Sequence, residues 1–159
     1  KISKFINKKK ISAIVDLGCG SGRLTNFLSD QTKAKIYGYE IDNETYQIAK
    51  LNKNHDVKIV NINIVDIDFK SLEAECFIFN GPLYKSEHRS DFEKLINGIH
   101  DGKKQLSKKY YIIGINLDED KRHKAEDRNY IFNNKNLSKV VVAGPNKKIK
   151  FFEYGPNNF

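Results

Sequence analysis

The sequence contains no Met and no Trp, and only two Cys and three Pro among its 159 residues. Two cysteines are too few to staple a small scaffold. No CxxC pair or Cys/His cluster has the spacing of a metal site, so no structural metal is expected. No apolar run approaches the roughly 20 residues needed to cross a bilayer, and no signal-peptide pattern opens the chain. A membrane-spanning or collagen-like class is therefore not expected. Without Met at position 1, the numbered chain is expected to begin after other residues. What is left is a chain of one-domain length, taken as a single domain over residues 1–159. Its hydrophobic content is 39% and its mean hydropathy −0.61, so the apolar residues must be well placed to build a core.

Charge is plentiful. Lys+Arg number 28 against 20 Asp+Glu, a net +8. Such an excess suits a polyanionic partner such as nucleic acid, and equally suits plain solubility. Basic clusters at Lys8–Lys10, Lys103–Lys104, Lys108–Lys109 and Lys147, Lys148, Lys150 are each fit for phosphate contact or for a solvated face. Cys19 and Cys76 both lie in apolar stretches. Two buried free thiols imply a reducing, cytoplasmic compartment.

Apolar runs alternate with amphipathic stretches. Strands are predicted at 12–17, 35–39, 57–62, 76–79 and 110–115, each a short apolar run of the kind buried on both faces of a sheet. Between them, Leu24, Phe27 and Leu28 recur at helical spacing. Asn43 is placed to cap a helix whose apolar face is Tyr46, Ile48, Ala49 and Leu51. Ser90-Asp91-Phe92-Glu93 has the form of a capping box, and Phe92, Leu95, Ile96 and Ile99 follow on one face. The charged, Asn-rich stretch 118–138 fits a poorly packed helix or an exposed loop. Two further strands, 139–143 and 149–154, are separated by only five residues, Gly144 to Lys148. Parallel neighbours need a crossover of about a dozen residues, so this pair is predicted to be an antiparallel hairpin. The expectation is an α/β, Rossmann-like fold with a mixed seven-stranded sheet.

Asp16-Leu17-Gly18-Cys19-Gly20-Ser21-Gly22 stands where the first strand turns into the first of these helices. Glycines there permit positive φ and close approach of a ligand to the backbone. The spacing departs from the dinucleotide fingerprint G-x-G-x-x-G, because Arg23 occupies its third small position. NAD is disfavoured accordingly.

This loop resembles the first motif of the class I S-adenosylmethionine-dependent methyltransferases, an acidic residue followed by G-x-G-x-G, matched by Asp16, Gly18, Gly20 and Gly22. The likeness runs from about residue 11 to 154 and implies that fold and S-adenosyl-L-methionine as cofactor. It implies that the loop, with Cys19, cradles the methionine part. Glu40, with Ile41 beside it, would accept from the ribose hydroxyls, and a carboxylate is suited to a cis-diol. Asp66, with Ile67, would accept from the adenine amino group. After the fourth strand, Asn80-Gly81-Pro82-Leu83-Tyr84 is similar to the Asn-Pro motif of amino-group methyltransferases, including ribosomal adenine dimethylases. Gly81 replaces a proline, and Leu83 displaces the aromatic by one position. Asn80, Pro82 and Tyr84 are the catalytic residues this implies, Asn80 also facing the cofactor and Tyr84 stacking on a base. The acceptor would be an adenine amino group in RNA or DNA, with a further recognition domain or partner choosing the target. A protein glutamine or lysine, a small molecule, and a non-catalytic binding role are the alternatives. As a turn, Asn-Gly-Pro needs no catalytic reason.

Overall fold

A computed structural model describes residues 2–54, 56–79, 89–102, 110–114 and 140–143. Their strands are β1 (Ala13–Leu17), β2 (Lys35–Glu40), β3 (Val57–Asn61), β4 (Cys76–Phe79), β5 (Tyr110–Gly114) and β6 (Val140–Ala143). The helices are α1 (Ile2–Lys9), α2 (Arg23–Gln31), α3 (Asn43–Asn52) and α4 (Arg89–Gly102), with one 3₁₀ turn at Ile64–Asp66. The six strands form a sheet in the order β3-β2-β1-β4-β5-β6, every described pair parallel.

Side-chain alternation splits this sheet between two cores. Val15, Leu17, Phe77 and Phe79 point to one face, where Phe92, Leu95, Ile96 and Ile99 of α4 cover them with Ile64, Ile67 and Phe69. Ile14, Ile36, Ile59, Cys76 and Ile78 point to the other, under Phe5 and Ile6 of α1, Leu28 of α2 and Ala49 of α3. Edge-to-face ring pairs, Phe79–Phe92 at 5.5 Å and Phe5–Tyr110 at 5.4 Å, fix α4 and α1 onto β4 and β5. Helices on both faces explain why the strands are continuous apolar runs.

Four local expectations are corrected. Asp42, not Asn43, caps α3, its side chain accepting from Thr45 N at 2.8 Å. Ile48 and Leu51 are not on a buried face, Leu51 being 85% exposed. Because β3 is the edge strand of the sheet among the described residues, α3 covers it with a narrow strip centred on Ala49. Phe27 is half-exposed, and Thr25 takes its place beside Leu28 on the buried side of α2. Ser90 lies inside α4, which already runs from Arg89, so it does not cap that helix. The helix α1 was not anticipated. β6 falls on the strand expected at 139–143 and pairs with β5 in parallel. The second arm of the expected hairpin, 149–154, and the stretch 118–138 lie outside the described residues.

Gly38 of β2 illustrates how tightly the sheet meets the segment after β1. A Cβ there would stand 2.7 Å from Ile59 Cδ1 and 2.8 Å from Cys19 Sγ. Gly38→Ala is expected to cost about 1–3 kcal/mol by overpacking, a fall in Tm of roughly 2–4 °C per kcal/mol for a chain of this size. Adding Cys19→Ala should recover part of that loss. Strictly additive losses in thermal melts of the double variant would disprove the contact.

Candidate functional site

The strand order reverses between β1 and β4. β2 and β3 lie to one side of β1, β4 and β5 to the other, with their helices on opposite faces. In such sheets a crevice opens beyond the carboxyl ends of the two central strands. Leu17 and Phe79, the last residues of β1 and β4, are register partners, so the chain leaves both strands side by side at this crevice.

The loop after β1 is built on three left-handed glycines, Gly18 at φ 73°, Gly20 at φ 57° and Gly22 at φ 79°. An ideal Cβ on Gly18 or Gly20 would meet nothing within 4 Å, so conformation rather than crowding requires glycine there, and open space lies above the loop. Gly22 is different, since its Cβ would stand 3.5 Å from Ala49 Cβ, where α3 passes the start of α2. The loop is tied to β2. Gly18 N and Cys19 N both donate to Tyr39 O, at 2.9 and 3.0 Å, and Gly22 N closes a turn onto Cys19 O at 3.1 Å.

Glu40 holds the loop from the end of β2. Its Oε2 accepts from Gly20 N at 2.9 Å and its Oε1 from Asp42 N at 2.9 Å. The residue is 9% exposed. Each carboxylate oxygen keeps a further lone pair, so the group can still accept from a ligand diol. The backbone around it is fixed from β3, where Asn61 Nδ2 donates to Glu40 O at 2.8 Å and to Ile41 O at 3.0 Å. Asn61 was not foreseen. The signal available was a polar residue at the end of an apolar strand. Ile41 presents an apolar side chain that is 62% exposed beside this clasp.

Asp16 lies under the loop, 1% exposed, and neither carboxylate oxygen has a hydrogen-bond partner. Burial, with the charge of Glu40 adding to it, pushes its pKa up to about 7. The same burial, with Asp16 and Glu40 nearby, pushes the Cys19 thiol up to about 12. At the start of α2, Gly22 supplies no side-chain cap, and the hydroxyl of Thr25, fully buried, has no partner either. Buried polar groups are normally paired. Two orphans around one glycine loop mark a place built for a polar ligand. Thr25 was missed in the sequence because helical spacing drew attention to the apolar residues around it.

Asp66 ends the 3₁₀ turn that follows β3, exposed, with Asn63 capping that turn through Val65 N. Ile67 is buried in the core beneath α4. The structure thus gathers Asp16, Gly18, Cys19, Gly20, Gly22, Glu40 and Ile41 around one loop. Asn80, Pro82 and Tyr84 lie outside the described residues.

The Asp16 geometry has a pH consequence. An acid whose folded pKa lies above its unfolded value stabilises the fold below the unfolded value, and that stability is lost as pH rises to the folded one. Wild-type stability is therefore expected to fall between about pH 4 and pH 7 through Asp16, by on the order of 4 kcal/mol at most. Asp16→Asn removes this slope and melts higher than wild type at pH 8. Parallel stability–pH profiles for the two chains would contradict the assignment.

The family model described as "Methyltransferase domain" matches residues 14–105. The whole chain is similar, at 29% identity over 160 residues, to the ribosomal RNA small subunit methyltransferase A of Mesomycoplasma hyopneumoniae (strain 232), of which it covers 57%. Among solved structures, it resembles a TehB-like SAM-dependent methyltransferase from Corynebacterium glutamicum, with TM-score 0.50 and 20% identity over 62% of this chain and 53% of that one. It also resembles the plantazolicin methyltransferase BpumL, determined with SAH, with TM-score 0.51 and 18% identity over 61% of this chain and 39% of that one. At these identities the solved structures speak for the fold alone. The chain spans little more than half the length of the curated relative.

Proposed function

Since this chain belongs to the methyltransferase-domain family, we propose that it is an S-adenosylmethionine-dependent N-methyltransferase acting on an adenine amino group of RNA. The observation that carries the proposal is the loop itself. Three left-handed glycines are clasped by Glu40, with an unpaired buried carboxylate beneath and open space above. These residues fit the cofactor. The Asp16 carboxylate suits a cationic amino group, the spare lone pairs of Glu40 suit a ribose diol, and the exposed face of Ile41 suits an adenine ring. Asp66 completes the adenine side of this reading, with Ile67 behind it in the core beneath α4. Similarity along this chain to just over half of a ribosomal RNA methyltransferase favours RNA over DNA, and the net charge of +8 agrees with a polyanion.

S-adenosylmethionine supplies a methyl group already activated on a sulfonium, so the work left to the chain is positioning and charge stabilisation. The side-chain oxygen of Asn80 and the carbonyl of Gly81 would each accept a hydrogen bond from one N–H of the planar amino group, turning the nitrogen lone pair toward the methyl; the sulfonium would leave as the neutral thioether and one N–H proton would pass to solvent. Pro82 stiffens the turn, and Tyr84 stacks on the base once it is taken out of its helix. A single domain over 1–159, with a seventh strand at 149–154 in an antiparallel hairpin, completes the fold in this reading. Another domain or partner adds target choice. Two free buried thiols support a reducing, cytoplasmic setting. No helix among the described residues is long and apolar enough to cross a membrane.

Calorimetric titration with S-adenosylmethionine, S-adenosylhomocysteine and NAD, followed by labelled methyl transfer to RNA, DNA and protein, tests this. Binding of the first two alone, with label entering RNA adenine, is expected. Binding of NAD, or of none, overturns the cofactor assignment. Label in protein alone moves the acceptor to a side-chain amide or amine.

A further inference from the structure

At the edge where β1 and β2 begin, opposite the glycine loop, a cavity of about 650 Å³ opens between the ends of α1 and α2, with Lys10 and Lys33 in its lining. Its one carboxylate, Asp30, accepts from Asn54 Nδ2 at 2.7 Å and keeps its charge, so the two lysines leave the lining positive by one. The hydroxyls in the lining are engaged too, Ser12 with Glu75 and Thr32 with Leu28 O. Neither Lys10 nor Lys33 has an ion-pair partner among the described residues. The two ammonium groups, with the side-chain amide of the exposed Gln31, are donors left to a ligand. Lys8 and Lys35, both exposed, flank them.

Lys10 is also where the backbone departs from the ordinary. Lys10 N donates to Asn7 O at 3.2 Å and Ile11 N to Ile6 O at 3.1 Å, with Ile6 and Ile11 buried. These two bonds and the apolar pair close α1 in the Schellman manner. The closure holds Lys10 at φ 53°, the one positive φ outside glycine among the described residues. Glycine fills this position without steric cost, whereas lysine does not. Helix C-termini attract cations, which accounts for Lys8 and Lys9 in the last turn of α1. It does not account for a strained lysine where glycine serves better. Strain retained at a chemically equipped residue points to use.

We propose that this basal cavity binds the phosphate backbone of the RNA substrate, a second contact remote from the edge where methyl transfer takes place. The proposal rests on the RNA reading above. Lysines along one edge suit a ligand of repeated negative charge. The apolar lining, Ile6 and Ile11, is itself buried, leaving nothing to grip the side chains of an acidic peptide.

The test uses a fluorescein-labelled RNA duplex of mixed sequence, titrated over a range of KCl with wild type, Lys10→Gly, and Lys10→Gly combined with Lys33→Ser. Lys10→Gly is expected to melt higher than wild type, because the strain is gone, and yet to bind RNA less tightly. The plot of log affinity against log salt should flatten by roughly 0.7–0.9 for each phosphate contact removed. S-adenosylhomocysteine binding, followed in the same samples, should not change. A salt slope equal to wild type in both variants overturns the proposal and leaves Lys10 a helix terminus only. With labelled oligoglutamate titrated alongside as a second probe, loss of its binding in the variants with RNA binding intact overturns the proposal in favour of an acidic peptide. Absence of RNA binding by wild type overturns it too, and retained S-adenosylhomocysteine binding separates that result from a failure of the methyltransferase reading.

Discussion

Glu40→Ala should weaken S-adenosylhomocysteine binding by about 100-fold or more. The carboxylate is the joint between β2 and the glycine loop, accepting from Gly20 N and Asp42 N at 2.9 Å each. A hydrogen bond to a charged group contributes about 1.5–3 kcal/mol, so losing the loop clasp alone approaches two orders of magnitude. The spare lone pairs that suit a diol go with it. Glu40→Gln is the informative companion. It keeps the shape but turns one acceptor into an NH₂ group facing a backbone donor, so its loss should be close to that of alanine rather than near wild type. Removing the charge at Glu40 also removes one cause of the raised Asp16 pKa, so the pH-dependence of stability should weaken. Calorimetry with thermal melts as the folding control measures both effects. Wild-type affinity in a folded Glu40→Ala chain would show that the cofactor lies elsewhere.

Asn80→Ala should lower kcat by about 10²–10³-fold, the loss typical when one preorganised polar contact to the reacting group is removed, while S-adenosylhomocysteine still binds. The site of the change is well supported. Phe79, the residue before it, is fully buried, packed edge-to-face on Phe92, and in register with Leu17. Truncating Asn80 is therefore expected to remove the proposed acceptor while β4 keeps its packing. Single-turnover transfer of labelled methyl to RNA separates the chemical step from binding. Turnover at the wild-type rate would reduce Asn80-Gly81-Pro82 to a turn, and the amino-group chemistry would lose its base.

Much of this architecture was legible. Strands buried on both faces leave continuous apolar runs that stop at glycine or a polar residue, which is why β1 to β5 fall where expected to within a residue or two. The face of α4 was legible for the same reason, since Phe92, Leu95, Ile96 and Ile99 repeat at helical spacing and all are buried. The face of α3 was not, because periodicity cannot tell that β3 is the sheet edge and that little lies beneath Ile48 and Leu51. Glycine spacing located the loop and a strand end located Glu40. That Glu40 bonds a loop amide twenty residues earlier is a tertiary fact no local pattern carries. The unpaired state of Asp16 and Thr25 is invisible for a like reason, since it depends on what does not reach them. Lys10 hid the end of α1, which a glycine there would have announced.

The burial of Cys19 has a consequence for oxidative chemistry. Only a thiolate attacks peroxide or a disulfide at a useful rate. With its pKa pushed up to about 12, the Cys19 thiol is almost wholly protonated at neutral pH, and its sulfur is packed against the backbone of Gly38 on one side. A cysteine at the heart of the glycine loop would ordinarily expose the protein to inactivation by peroxide or glutathione. Here the same packing that seats the loop on β2 keeps its sulfur chemically silent.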